Sequence, residues 1–167
     1  MNQKIEKNHN VDIGIAESDR KKVAEILQTI LADEYIIYTK TRNYHWNVTG
    51  DRFYDLHKFF ESQYEELNTI IDDVAERIRS VGERPDGTMT GFLKTGRIRE
   101  NSVNDIDSGA MILELLADHE SIIRNLRTDL VECLEKYGDA GTNNFLTDLL
   151  EKHEKMAWML RSFISNR

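Results

Sequence analysis

Cysteine and proline are nearly absent from this chain, with one of each among 167 residues. The lone Cys133 excludes an intrachain disulfide and suits a reducing compartment; on a helix it reads as a small buried apolar residue. A single proline and only nine glycines leave long stretches without a helix breaker. With abundant Glu, Lys, Leu and Ile, that makes the expected class all-α. No apolar run approaches the ~20 residues that cross a bilayer, and the first 19 residues lack the apolar centre of a signal peptide. A cytoplasmic protein without a membrane role is expected. Excess positive charge is missing too: the formal net charge of −8 argues against the basic footprint of a nucleic-acid binder.

What remains is helical periodicity. Residues 1–17 are polar and read as a flexible tail, and residues 18–167 as one bundle domain. Val23, Ile26, Leu27, Ile30, Leu31, Ile37, Tyr38 and Tyr44 recur at helical intervals up to His45 or Trp46. The segment Val48 to Asp51 breaks that helix. A second runs from about Arg52 to Val81, with Phe53, Phe60, Leu67, Val74 and Val81 on a seven-residue repeat. Residues 82–108 are long for a tight connection, so they cross the bundle or carry a small outer helix around Phe92 and Leu93. Asp107 or Ser108 caps a third long helix with Leu134 among its inward residues. Thr142 or Asn143 starts a fourth, with Trp158 assigned to the core. The product is a ferritin-like four-helix bundle with a short extra helix in the crossover between helices 2 and 3.

The chemistry concentrates between His45 and Glu76. His45, His57, Glu61, Asp72 and Glu76 make a nitrogen-and-oxygen ligand set for iron or a similar metal. The pairs 57/61 and 72/76 are each four apart, so each shares a helical face. Their separation is informative. Fifteen residues of helix span roughly 22 Å, too far for one helix to close all four around one ion. Projected at about 100° per residue, all four fall on one flank beside the apolar seam. Glu-x-x-His pairs inside the bundle, the ordinary ferritin-like arrangement, are missing: the single such pair, Glu6 and His9, lies in the tail and reads as chance. Two copies of the second helix packed antiparallel about residues 66 and 67 would set His57 and Glu61 of one chain against Asp72 and Glu76 of its mate. A solvated face also carries such carboxylate pairs, and Arg77 and Arg79 stand near enough in sequence to neutralise Asp73 and Glu76.

The string HWNVTGDRFYDLH (45–57), followed by Glu61, Tyr64 and IDDVAER (71–77), resembles the Dps family, bacterial mini-ferritins that protect DNA during starvation. The resemblance extends along the bundle to AWMLRSF (157–163). It implies ferroxidase ligands at His45, His57, Glu61, Asp72 and Glu76, the two histidines and Glu61 from one subunit and the other carboxylates from its two-fold mate. Glu61 stands where the family more commonly has Asp. Also implied are a di-iron centre, two-fold dimers assembled into a hollow dodecamer, oxidation of Fe(II) by hydrogen peroxide in preference to oxygen, and storage of Fe(III) mineral. Ligation needs neutral imidazole, so metal binding is expected to weaken below about pH 6.

The chain departs from that pattern in its tail. Lys4 and Lys7 stand against Glu6, Asp12 and Glu17, whereas phosphate binding needs clustered cations. Weak DNA binding is expected, and a DNA-compacting protein is the alternative reading. Asn143 and Asn144 stand near the start of the last helix, where relatives often carry pore aspartates; Asp139 and Asp148 lie nearby. Trp46 reads as packing at a helix end, with electron donation near the centre as the sharper alternative. Glu65 and Glu66 read as mineral nucleation sites or a plain exposed face. His119 and His153 have no role in this reading.

Overall fold

The computed structural model describes residues 11–100 and 106–164 and consists of five helices, with no strand among the described residues. Glu6 and His9 lie outside the described residues. Helices α1 (Glu17–Asn47), α2 (Phe53–Ser80), α4 (Ser108–Glu135) and α5 (Ala140–Ile164) are long, and α3 (Met89–Thr95) is the short insert.

Two antiparallel hairpins build the bundle, α1 with α2 and α4 with α5. Lys40 meets Asp118 and Tyr44 meets Glu114, so partner numbers on α1 and α4 run in opposite senses and these helices are antiparallel as well. Helices α2 and α4 are therefore parallel, which only a crossover along the bundle can connect. That crossover is pinned by Asp33, fully buried on α1. Its carboxylate accepts from the Ile98 N–H at 3.1 Å and from Arg97 Nε at 2.8 Å, while Arg97 Nη1 reaches Asp129 on α4 at 2.9 Å. Phe92 of α3 stacks on Tyr35 with ring centroids 4.2 Å apart.

Capping chemistry fixes the starts of the later helices. Asp107 Oδ1 accepts from the Ala110 N–H at 2.9 Å, as expected from the sequence. Helix α5 begins at Ala140, two residues before the earlier of the expected starts, because buried Asp139 is the cap. Its Oδ1 accepts from the Thr142 N–H at 2.8 Å, and its carboxylate also pairs with Arg77 at 3.1 Å.

Three residues expected in the core are outside it. Phe53, the first residue of α2, is 44% exposed. Leu134, in the last turn of α4, is likewise exposed. Trp158 is 61% exposed, since Met156, Ala157 and Leu160 take the inward positions of that turn.

His119 and His153, which had no role in the sequence, form a buried chain with Glu34. His153 Nε2 lies 2.9 Å from Glu34 Oε1, and His153 Nδ1 lies 2.9 Å from His119 Nδ1, with all three residues fully buried. This links α1, α5 and α4 through the bundle centre. With the carboxylate accepting the Nε2 proton of His153, His119 donates from Nδ1 and its Nε2 is left a bare lone pair without a partner. Burial, then the neighbouring His153, holds the His119 imidazole well below its ordinary pKa. The folded protein therefore keeps His119 neutral where the unfolded chain takes up a proton, and stability falls as pH drops through about 6.5. Unfolding free energies from urea titrations between pH 7.5 and 5 should decline by up to ~1.4 kcal/mol per pH unit from this group. His119→Asn, which keeps a donor but cannot titrate, should flatten that slope.

Candidate metal centre

The α1–α2 turn places two imidazoles face to face. Gly50, at φ +99°, takes the left-handed conformation that reverses the chain within five residues. His45, in the last turn of α1, thereby meets His57, in the second turn of α2. Their rings stack with centroids 3.8 Å apart and planes 19° apart.

Each imidazole is braced by the other residue's backbone. His45 Nδ1 lies 2.8 Å from the His57 carbonyl oxygen, and His57 Nδ1 lies 2.9 Å from the His45 carbonyl oxygen. A carbonyl oxygen only accepts, so both Nδ1 atoms carry the proton. Both Nε2 atoms are consequently deprotonated in the neutral rings and available as metal ligands. His45 is buried and His57 half-buried.

Glu61 follows one turn after His57 on α2. Lys58 Nζ sits 2.6 Å from its carboxylate, and this contact holds the Glu61 carboxyl below the usual range, with the two histidines adding to the effect. The third candidate is thus an ionised oxygen donor whose present partner is a side chain that solvent can replace.

Asp72 and Glu76 lie on the second half of α2, both exposed, and neither forms an ion pair among the described residues. The alternative reading, in which Arg77 and Arg79 neutralise Asp73 and Glu76, is not what these arginines do. Arg77 turns to Asp139 and Thr142, at 3.1 and 3.0 Å, and Arg79 donates to the Glu83 carbonyl at 2.9 Å. One chain thus brings His45 and His57 together with Glu61 a turn away, and leaves Asp72 and Glu76 remote. Among the described residues, no three His, Cys, Asp or Glu side chains converge on a common point within the chain.

Three neighbours escaped the sequence reading. Phe53 stacks on His57 at 5.1 Å, Tyr64 sets its ring edge-on to His45 at 5.2 Å, and Lys58 holds Glu61. The spacing of four between Phe53 and His57 carried that signal, but the seven-residue apolar repeat assigned Phe53 inward. Trp46 is 63% exposed beside this cluster, with Arg42 over its ring at 5.2 Å.

A ferritin-like domain model matches residues 24–167. The "DNA protection during starvation protein 2" of Bacillus anthracis is 35% identical over 87% of this chain and 98% of its own length. The crystal structure of Dps from Vibrio cholerae superposes with a TM-score of 0.86 at 32% identity, covering 93% of this chain and 99% of that one. This chain belongs to the Dps family of ferritin-like proteins. The Vibrio relative is described as a member of a broad superfamily of ferritin-like diiron-carboxylate proteins. A low-temperature-induced protein of Nostoc, itself uncharacterised, is 41% identical over 94% of this chain and 88% of its own.

The brace makes a spectroscopic prediction. Long-range 1H–15N correlation spectra at pH 7.5 should show His45 and His57 both protonated at Nδ1, with Nε2 resonating as an unprotonated nitrogen. Protonation at Nε2 in either ring would mean that the backbone contacts do not set the tautomer.

Proposed function

We propose that this protein is a ferroxidase and iron-storage protein that oxidises Fe(II) at a dinuclear centre completed across a two-fold interface. His45, His57 and Glu61 come from one subunit, and Asp72 and Glu76 from its mate. The stacked, Nδ1-braced imidazole pair carries this reading. A nitrogen lone pair lies in its ring plane, and two nearly parallel planes 3.8 Å apart give one ion no position in both. The pair therefore suits two ions, one per imidazole, at about the 3.5–4 Å spacing of two-metal sites.

Each chain then has two of its three oxygen donors in the wrong place, Asp72 lying some 22 Å along α2 from His57. An antiparallel copy of α2 related by a two-fold axis near residues 66 and 67 cures this for both chains at once, giving two identical sites from one patch. The exposure of Asp72 and Glu76 in the single chain fits donors that wait for a partner.

Iron is the substrate of this reaction, and hydrogen peroxide the proposed oxidant in preference to oxygen. Two Fe(II) ions give one electron each; peroxide accepts both and, with two protons, becomes two molecules of water. No hydroxyl radical is released when both electrons arrive together. The carboxylates of Glu61, Asp72 and Glu76 are hard donors that favour the Fe(III) product. Dodecameric assembly would enclose a cavity in which Fe(III) mineral accumulates, removing iron and peroxide together and so protecting the cell and its DNA. A role through DNA compaction is less well supported, given the net charge of −8 on each chain.

His57→Ala combined with Asp72→Ala should slow peroxide-driven iron oxidation to near the buffer rate, followed by Fe(III) absorbance in stopped flow; unchanged kinetics would refute the assignment. A gel shift at low salt should show little or no retardation of duplex DNA by the wild-type protein.

A further inference from the structure

Phe53 lies outside the ligand set and outside the core, yet its ring is placed against the candidate centre. It stacks on His57 with centroids 5.1 Å apart and planes 29° apart. Tyr64 meets His45 in a T-shaped contact at 5.2 Å and 79°. Phe53, His57 and His45 form an aromatic column with His57 in the middle.

The column settles a choice that the backbone brace leaves open. A bond from Nδ1 to a carbonyl fixes the tautomer but still allows the ring to tilt about that bond. If His57 tilts away from its stack, its plane can converge with that of His45, and both Nε2 atoms can then chelate one ion. Parallel rings forbid this and leave each nitrogen to its own ion. Phe53, stacked on His57, opposes that tilt. Phe53, as the first residue of α2 and 44% exposed, contributes little to the core, so its burial against His57 is its main contact of note.

We propose that Phe53 is a positioning residue that keeps His57 parallel to His45 and thereby enforces two metals per site rather than one. This rests on the ferroxidase reading above. Its consequence is chemical selectivity: a site holding two Fe(II) ions supplies both electrons that peroxide needs. A site holding one supplies a single electron, and peroxide then splits into hydroxide and a hydroxyl radical as Fe(II) becomes Fe(III).

The test uses the assembled protein and Zn(II), which occupies the ligands without redox chemistry. Calorimetric titration of the wild type should give two Zn(II) per site. Phe53→Ala should keep the first and weaken the second by at least ~10-fold, the loss expected when a residue orienting a ligand is removed. Phe53→Trp should restore it, whereas Phe53→Leu, similar in bulk but without a π face, should not. Spin trapping with Fe(II) and peroxide should show more hydroxyl radical from Phe53→Ala than from wild type. Circular dichroism and size-exclusion profiles of the variants should match the wild type, given the exposure of residue 53. If the wild type binds two and Phe53→Ala binds two equally well, or if leucine restores binding as fully as tryptophan, the positioning role is wrong and the ferroxidase reading stands. If the wild type itself binds no Zn(II) pair, the ferroxidase reading fails with it.

Discussion

Everything at the candidate centre depends on one exchange of hydrogen bonds, in which the last turn of α1 and the second turn of α2 each hold the other's imidazole by a carbonyl oxygen. That exchange requires the hairpin to close tightly at Gly50 and both helices to stay regular up to their ends. It sets the tautomers, frees both Nε2 atoms and leaves only the tilt of the rings open. Removing either imidazole takes away a potential ligand and the ring stacked on the remaining one, while the carbonyl brace, a backbone atom, stays. The two rings are in contact, so their effects should not be additive.

Buried charges are paired along the α1–α4 seam, where Lys40 holds Asp118 at 2.6 Å and Arg97 bridges Asp33 and Asp129. The bundle centre, where ordinary ferritin-like proteins house their metals, is closed by the hydrogen-bonded chain of Glu34, His153 and His119. These residues are fully buried and bonded in a line, with Glu34 Oε2 and His119 Nε2 at its ends unpartnered. Such interior networks specify how helices sit together more than they add stability. Here the network ties the α1–α2 hairpin to the α4–α5 hairpin. The ligand candidates are left on the outer flank of α2, where a second copy of the chain can reach them.

Much of this was legible in the residues. Helix periodicity located the four long helices, the glycine-rich crossover announced α3, and the aspartate before Ser108 marked a cap. The pairing of His45 with His57 followed from the string that resembles the Dps family. What stayed hidden was mostly three-dimensional. Phe53, Leu134 and Trp158 fit the apolar pattern, but that pattern does not record that a helix end or an outer face has no neighbour. The partnership of Glu34, His119 and His153 joins residues up to 119 positions apart, beyond the reach of local spacing. Arg77 chose the cap residue Asp139 over its near neighbours, because a half-buried guanidinium gains more from a buried carboxylate than from exposed ones.

The central claim is that each centre draws ligands from two chains, and subunit complementation measures it most directly. His57→Ala and Asp72→Ala disable the centre from opposite sides of the proposed interface. In a mixed dimer, one site loses both residues and the other keeps the full set. Co-expression of the two variants, each near-inactive alone, should restore roughly a quarter of the wild-type peroxide-driven iron oxidation if pairing is random and each dimer carries two isologous sites. Activity no higher than the average of the separate variants would contradict the shared centre.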